Sequence, residues 1–287
     1  MMVSLPSAWV KIQKLKKGDE VEVIQEEKQL VISAQRKGDV VLKKEINIPK
    51  PVDYMNRLID VPYVQGYDEI IVHFDDAKVM DLVVKETERL LGIEVVSQSA
   101  SSCTIKNVAE AMEKEFDNMF RRLFLLVKSM AEDSVTAAKE KDYEKLKNIA
   151  DLERMTHKYA LFCMRILNKY GYKDEKEAHF VFNTVYTLLQ IAQHYEDLCN
   201  HIAATKEKID PTTMEFFKQI TALTDDYYQA FYKRDLKHIV AMKQRLSKLR
   251  LREKKGKNIL ELKKNVYLAH HLQFILEQLT YLSFFLN

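Results

Sequence analysis

The sequence predicts a mainly α fold: a tandem of three-helix units packed as an up-and-down bundle, preceded by a small β-hairpin unit and a small α/β module. Three observations predict it. The chain of 287 residues holds only 6 Gly and 5 Pro, where average usage gives about 20 and about 14. Beyond Gly92 only Gly171, Gly256 and Pro211 remain. From Thr104 onward apolar residues recur at helical spacing, through Val108, Met112, Phe116, Met119, Phe120, Leu123, Leu126, Val127 and Met130. Formal charge divides the chain into three parts, +3 over residues 1–50, −6 over 51–103 and +6 over 104–287.

The same features exclude classes of function. So few breakers do not build a many-turned β protein or a glycine-rich nucleotide-binding fold. A chain that is 47% apolar is not a disordered one. GxSxG, GxxxxGK(S/T) and HExxH are all missing, so no enzyme is expected. Cys103, Cys163 and Cys199 are odd in number, widely spaced and outside any CxxC, which points to a reducing compartment and no disulfide framework. No apolar run reaches the ~18 residues that span a bilayer, and no signal-peptide core is present. The expected location is the cytoplasm, with membrane association only through a partner.

Taken in order, Pro6 suits the first turn of a helix, Ser4 is placed to cap it, and Ala8, Val10, Ile12 and Leu15 form its apolar side until Lys17-Gly18 stops it. Glu20 to Val23 alternates as a strand, Gln25 to Lys28 turns, and Leu30-Val31-Ile32 returns. Such a unit has too little core to stand alone and is expected to dimerise or pack on the rest. Residues 36–50 read as a polar strand or linker. A helix over Val52 to Leu58, a strand over Glu69 to Phe74, a helix over Ala77 to Leu91 stopped by Gly92, and a strand over Ile93 to Val96 make the α/β module.

Breaks near Glu140, Gly171-Tyr172, Asp210-Pro211, Lys233-Arg234 and Lys255-Gly256 cut the remainder into six helices. Lys141-Asp142-Tyr143 at one helix start resembles Arg234-Asp235-Leu236 at another, and the third helices end alike around Tyr195-Glu196 and Leu276-Glu277, which gives two copies of a three-helix unit. The expected domains are residues 1–48, 49–103 and 104–287, with repeats at about 104–208 and 211–287.

Three groups of residues are candidates for chemistry. Glu153 and His157, and Glu196 and Asn200, are i, i+4 pairs that each share a helix face; opposed across a bundle, such pairs build metal sites. Glu153, His157 and Glu196 are therefore the metal candidates, with His194 and His201 flanking Glu196, and a solvated polar face is the alternative. The tract from Lys233 to Lys264 carries a local excess of +10, and Arg245, Lys248, Arg250 and Arg252 are the candidates to hold an anion or an acidic partner surface; a solvated helix end is the alternative. Lys11, Lys14, Lys16 and Lys17 surround the first helix and are candidates for salt-sensitive DNA binding. Trp9 between them is read as core.

These residues also carry a resemblance. Val3 to Val10 (VSLPSAWV), followed by Leu15 to Val23 (LKKGDEVEV) and Leu30-Val31-Ile32, resembles the AbrB/SpoVT swapped-hairpin DNA-binding domain. Arg57-Leu58, Tyr63, Gly66 to Ile70 and Leu90 to Glu94 resemble the middle portion of archaeal PhoU-type phosphate-uptake regulators, and the helical triplets resemble the tandem PhoU repeat. The resemblance implies a cytoplasmic, dimeric, non-enzymatic regulator of phosphate uptake that acts on phosphate transporters, signalling proteins or, through the AbrB-like unit, DNA. The alternatives are a metal-binding helical-bundle protein using Glu153, His157 and Glu196, or a structural scaffold.

PhoU repeats hold multinuclear iron or zinc on Glu-x-x-x-Asp motifs. The matching places here read Glu153…His157, Glu196…Asn200, Leu246…Arg250 and Glu277…Tyr281, so all four terminal aspartates are replaced. No cofactor is required on this reading, and at most one weak divalent ion, Zn or Fe, is expected in the first helical repeat. AbrB-type domains also carry a strand before the SLP segment, whereas this chain begins almost at that motif, so the expectation is either a truncated start or a hairpin unit that has lost half its pairing.

Overall fold

The computed structural model describes residues 3–26, 29–34, 40–109, 112–254 and 265–286, with the backbone alone at 24, 26, 29, 112–113 and 251–254. The fold is mainly α, with a small β region ahead of a helical bundle. The first helix, α1 (Ser7–Ile12), starts behind Pro6 with no side-chain cap, so Ser4 does not close it. It ends earlier than its apolar spacing predicts. Lys14 takes the left-handed conformation (φ 55°), and Lys14 and Leu15 donate back to the carbonyls of Lys11 and Val10 at 3.1 Å each, the two bonds of a Schellman closure made without glycine. Gly18 (φ 99°) then supplies the left-handed position of the turn in which the Lys16 N–H donates to Asp19 Oδ2 at 2.7 Å.

β1 (Glu22–Glu26) and β2 (Gln29–Ser33) form an antiparallel two-stranded sheet. The ladder pairs Gln25 with Leu30 and Glu26 with Gln29, so the turn is tighter than the sequence predicts, and Glu27-Lys28 lie outside the described residues.

β3 (Lys43–Asn47), α2 (Met55–Val64), β4 (Glu69–His73), α3 (Lys78–Thr87), β5 (Ile93–Gln98) and β6 (Ser102–Asn107) make the α/β module, with strand order β3-β4-β6-β5. Two expected boundaries shift. Residues 43–47, read as strand or linker at the end of the hairpin unit, pair in parallel with β4. Thr104 to Asn107, read as the start of the helical region, pair with β4 and β5. Their apolar residues fit both periods over so short a run, and Cys103 and Ile105 point into the core beside Ile70 and Val72. α2 runs past the predicted end at Leu58 and through Pro62, which is buried with Tyr63. α3 stops before Leu91: past Thr87 the N–H groups of Arg89 and Leu90 bond back only three residues, to Glu86 and Thr87, ahead of Gly92 in the left-handed conformation (φ 76°).

The remainder is helical: α4 (Phe116–Glu140), α5 (Tyr143–Asp151), α6 (Glu153–Tyr170), α7 (Glu175–Thr205), α8 (Pro211–Lys233), α9 (Leu236–Lys254) and α10 (Val266–Ser283). Among the described residues these are seven helices where six are predicted. The second predicted helix is broken at Leu152, whose N–H bonds back only three residues, to Ile149, and whose helical φ and ψ leave a kink that no Gly or Pro announces. The internal repeat seen in the sequence is a backbone device. Lys141 (φ 59°) and Arg234 (φ 47°) each close a helix in the left-handed conformation, and the aspartate that follows caps the next: Asp142 accepts from the Lys145 N–H and Asp235 from the His238 N–H, both at 2.9 Å.

α4 packs on α6, α7 and α8, α7 on α10, and α8 on α9 and α10. The α/β module joins the bundle where α2 meets α6. There Arg165 Nη1 donates to the carbonyls of Tyr63 (2.9 Å) and Tyr67 (2.7 Å), Nη2 to Asp68 Oδ1 (2.9 Å), and Asn168 to the Val64 carbonyl (2.8 Å). Gly66 (φ 91°) is required twice, since a Cβ would lie 3.0 Å from that of Lys169.

Candidate functional sites

The first candidate group lies where α6, α7 and the α/β module meet. Glu153 and His157 are buried, and Glu196 is half-buried on α7. The three do not converge on a point: among the described residues the group of three ligand-type side chains that does is a different one. His157 Nε2 instead faces Asp60 Oδ2 of α2 at 3.9 Å, and His157 Nδ1 and Asp60 Oδ1 are buried without a hydrogen-bond partner among the described residues. Arg89, which donates to Glu86 Oε2 at 2.6 Å, is the nearby cation. Asp60 was not singled out in the sequence, where an isolated aspartate inside an amphipathic helix gives no signal.

Electrostatics in this group run against ionisation. Burial, then the charges of Glu153 and Asp197, pushes Glu196 from 4.5 up to about 7. Burial raises Asp60 to about 6, against the opposing pull of Arg89, and raises Glu153. Burial and Arg89 together hold His157 down at about 4. A carboxyl raised on folding stabilises the fold below its ordinary range and loses that contribution as pH climbs through the folded value. The Glu196 contribution is thus present below pH 4.5 and gone above about 7. Glu196→Gln, which keeps the shape of the protonated acid, should flatten the decline in thermal midpoint across that window and melt above the parent at pH 8; an unchanged pH profile would refute the shift.

A multinuclear metal cluster does not fit the residues present. Leu246 is buried in the core, Arg250 is an exposed cation, Tyr281 is exposed, and Asn200 is an exposed amide. None of these supplies the bridging carboxylate that several close cations require.

The basic candidates lie on and after α9. Arg245 Nε is engaged with Asp226 of α8 at 2.8 Å, and Lys243 donates to the Leu286 carbonyl at 3.1 Å, so part of the tract's charge serves the bundle. Lys248 and Arg250 are exposed; the side chain of Arg252 and residues 255–264 lie outside the described set. Lys11, Lys14, Lys16 and Lys17 are all exposed, gathered at the C-terminal end of α1 and the turn that follows. Trp9, read as core, is only half-buried, and nothing in α1 is buried. In the same N-terminal unit Ile12 is 74% exposed, and Val23 and Leu30 are 54% exposed.

The fold and its candidate groups define a helical-bundle protein with a small mixed front end and a basic outer helix. Among the described residues no helix is long and apolar enough to cross a membrane. Residues 2–39 match the family model described as antidote-toxin recognition MazE, bacterial antitoxin, so the N-terminal unit is MazE/AbrB-like. No curated protein matches the chain in sequence. Among solved structures, it is similar to the phosphate transport system regulatory protein PhoU from Streptococcus pneumoniae, at 15% identity and a TM-score of 0.46, over 60% of this chain and 91% of that one.

Proposed function

We propose that the chain is a cytoplasmic, non-enzymatic regulator of phosphate uptake that works by binding: the N-terminal unit pairs two copies, and the helical bundle docks on a phosphate-transporter or signalling partner. The observation that carries this reading is the order of units along one chain. A MazE/AbrB-like segment precedes an α/β module whose residues resemble those of PhoU-type regulators, and a bundle of helices follows, which we read as the tandem of helical triplets. Lys248 and Arg250 on α9 are the side chains proposed to meet an acidic partner surface. The test is affinity capture from cells grown at low and high phosphate, with a phosphate-transport or phosphate-signalling protein as the expected prey.

Pairing of two copies follows from the N-terminal unit. A two-stranded hairpin is marginal by itself, both outer edges of β1–β2 are unpaired among the described residues, and the apolar side chains beside them face solvent. Light scattering should give a dimer for the parent and a monomer for a Val23→Glu/Leu30→Glu variant with unchanged helical circular dichroism. A parent that is monomeric at micromolar concentration would contradict it. Lys11, Lys14, Lys16 and Lys17 are proposed as phosphate contacts to DNA. If they are, promoter binding weakens steeply with salt and is lost when the four are changed to Ala; if promoter DNA is not bound at low salt, the unit serves pairing alone.

A further inference from the structure

On α7, His194 and Asp197 share one face at i, i+3 spacing, and the face they share meets α10 rather than α6. His271 of α10 closes the group. Its Nδ1 lies 2.7 Å from His194 Nδ1 and 3.9 Å from Asp197 Oδ2, and one ligand atom from each residue falls within 4.8 Å of the others. The rings are held in place. His194 stacks on Phe274 with centroids 3.8 Å apart, and His271 packs against Tyr267 at 4.4 Å, which itself stacks on His201 at 4.1 Å. His271 is 6% exposed, whereas Asp197 is exposed, so the group opens to water on its carboxylate side.

We propose that His194, Asp197 and His271 form a mononuclear site for a divalent transition-metal ion of the zinc kind, with the solvent side left for water or an exogenous ligand. Two imidazole nitrogens and one carboxylate oxygen are a donor set for Zn²⁺ or Fe²⁺ rather than for the all-oxygen shells of Ca²⁺ and Mg²⁺. Two zinc–nitrogen bonds of about 2.0–2.1 Å at a tetrahedral angle set their nitrogens about 3.4 Å apart, so the two rings need open only slightly. Burial and the neighbouring His271 keep His194 at about 4, and burial lowers His271 against the pull of Asp197. Both shifts favour the neutral imidazole, the form that ligates. With each ring's proton on Nε2, the two facing Nδ1 atoms offer their lone pairs to one ion, which ties α7 to α10. Glu153, His157 and Glu196 take no part, and neither does the proposed regulatory role.

The test uses the untagged full-length chain, stripped with chelator and titrated with Co²⁺ and then Zn²⁺. The expected result is one Co²⁺ per chain, with visible absorption of imidazole ligation that Zn²⁺ displaces, and a thermal midpoint raised by Zn²⁺. His194→Gln should abolish the spectrum. Asp197→Asn, at an exposed position that leaves the fold intact, should weaken binding by at least about tenfold. Absence of a bound ion in the parent would overturn the proposal. So would Co²⁺ binding that survives both variants, or that is lost instead in Glu153→Gln/Glu196→Gln.

Discussion

Asp68→Ala should destabilise the protein by about 3–5 kcal/mol, the range found when one partner of a buried charge pair is removed. Asp68 follows the Gly66 turn, and its two oxygens serve three partners. Oδ1 accepts from Arg165 Nη2 at 2.9 Å and pairs with the Lys169 ammonium, while Oδ2 accepts the Leu42 N–H at 3.0 Å. Arg165 is 1% exposed at its side chain and Lys169 is 6% exposed. Deleting the carboxylate leaves two nearly buried cations without their counter-charge and removes the bond to the Leu42 N–H just before β3. Because the α/β module meets the bundle through this joint, the module should unfold first in a denaturant titration followed separately at Trp9-independent near-ultraviolet signals and by helical circular dichroism. A loss below about 1 kcal/mol would place the strength of the joint in its apolar contacts.

Phe124→Ala should cost a similar ~3–5 kcal/mol, as large aromatic-to-alanine changes in cores do. Phe124 is buried on α4, with ring centroids of Phe120, Tyr227, Phe231 and Tyr232 within 6 Å: 5.2, 5.9, 4.8 and 5.4 Å respectively. Three of these four lie on α8, so the ring fastens α8 to α4. Alanine loses the buried area and the edge and stacked contacts and opens a cavity that surrounding rings, each fixed by another, fill poorly. Phe124→Leu keeps most of the volume and should cost under about 1.5 kcal/mol. Equal losses for the two variants would mean that ring geometry, and not filled volume, is what counts.

The helical region was legible because its devices are local. Asp142, Asp174 and Asp210 cap the helices that follow them, Pro211 sits in the first turn of α8, and Gly171 ends α6; each is visible as a residue type at a boundary. The kink at Leu152 carries no such mark. The shifted boundaries at β3 and β6 have another cause. A five- or six-residue strand such as Lys43–Asn47 becomes a strand by pairing with β4, 26 residues on in register, and neither its polar composition nor its spacing records that partner.

The candidate sites divide along the same line. The i, i+4 pair of Glu153 and His157 was visible, but its neighbour Asp60 comes from α2, about 95 residues earlier. His194 and Asp197 stood beside Glu196 in the sequence and went unpaired with His271, because the α7–α10 contact joins two triplets and no spacing rule within one helix reaches across it. Basic residues were legible as a tract, yet only the structure separates Arg245, engaged with Asp226, from the exposed Lys248 and Arg250.

Regulation of phosphate uptake through a protein partner docked on the bundle is the role proposed above. It is tested most directly by capture from cells at low and high phosphate, comparing the parent with a Lys248→Glu/Arg250→Glu variant whose dimeric state and melting are unchanged. A phosphate-transport or phosphate-signalling protein should be enriched with the parent, the enrichment should respond to phosphate, and charge reversal should reduce it at least about tenfold. A parent that captures no such protein at either phosphate level would overturn the proposed role.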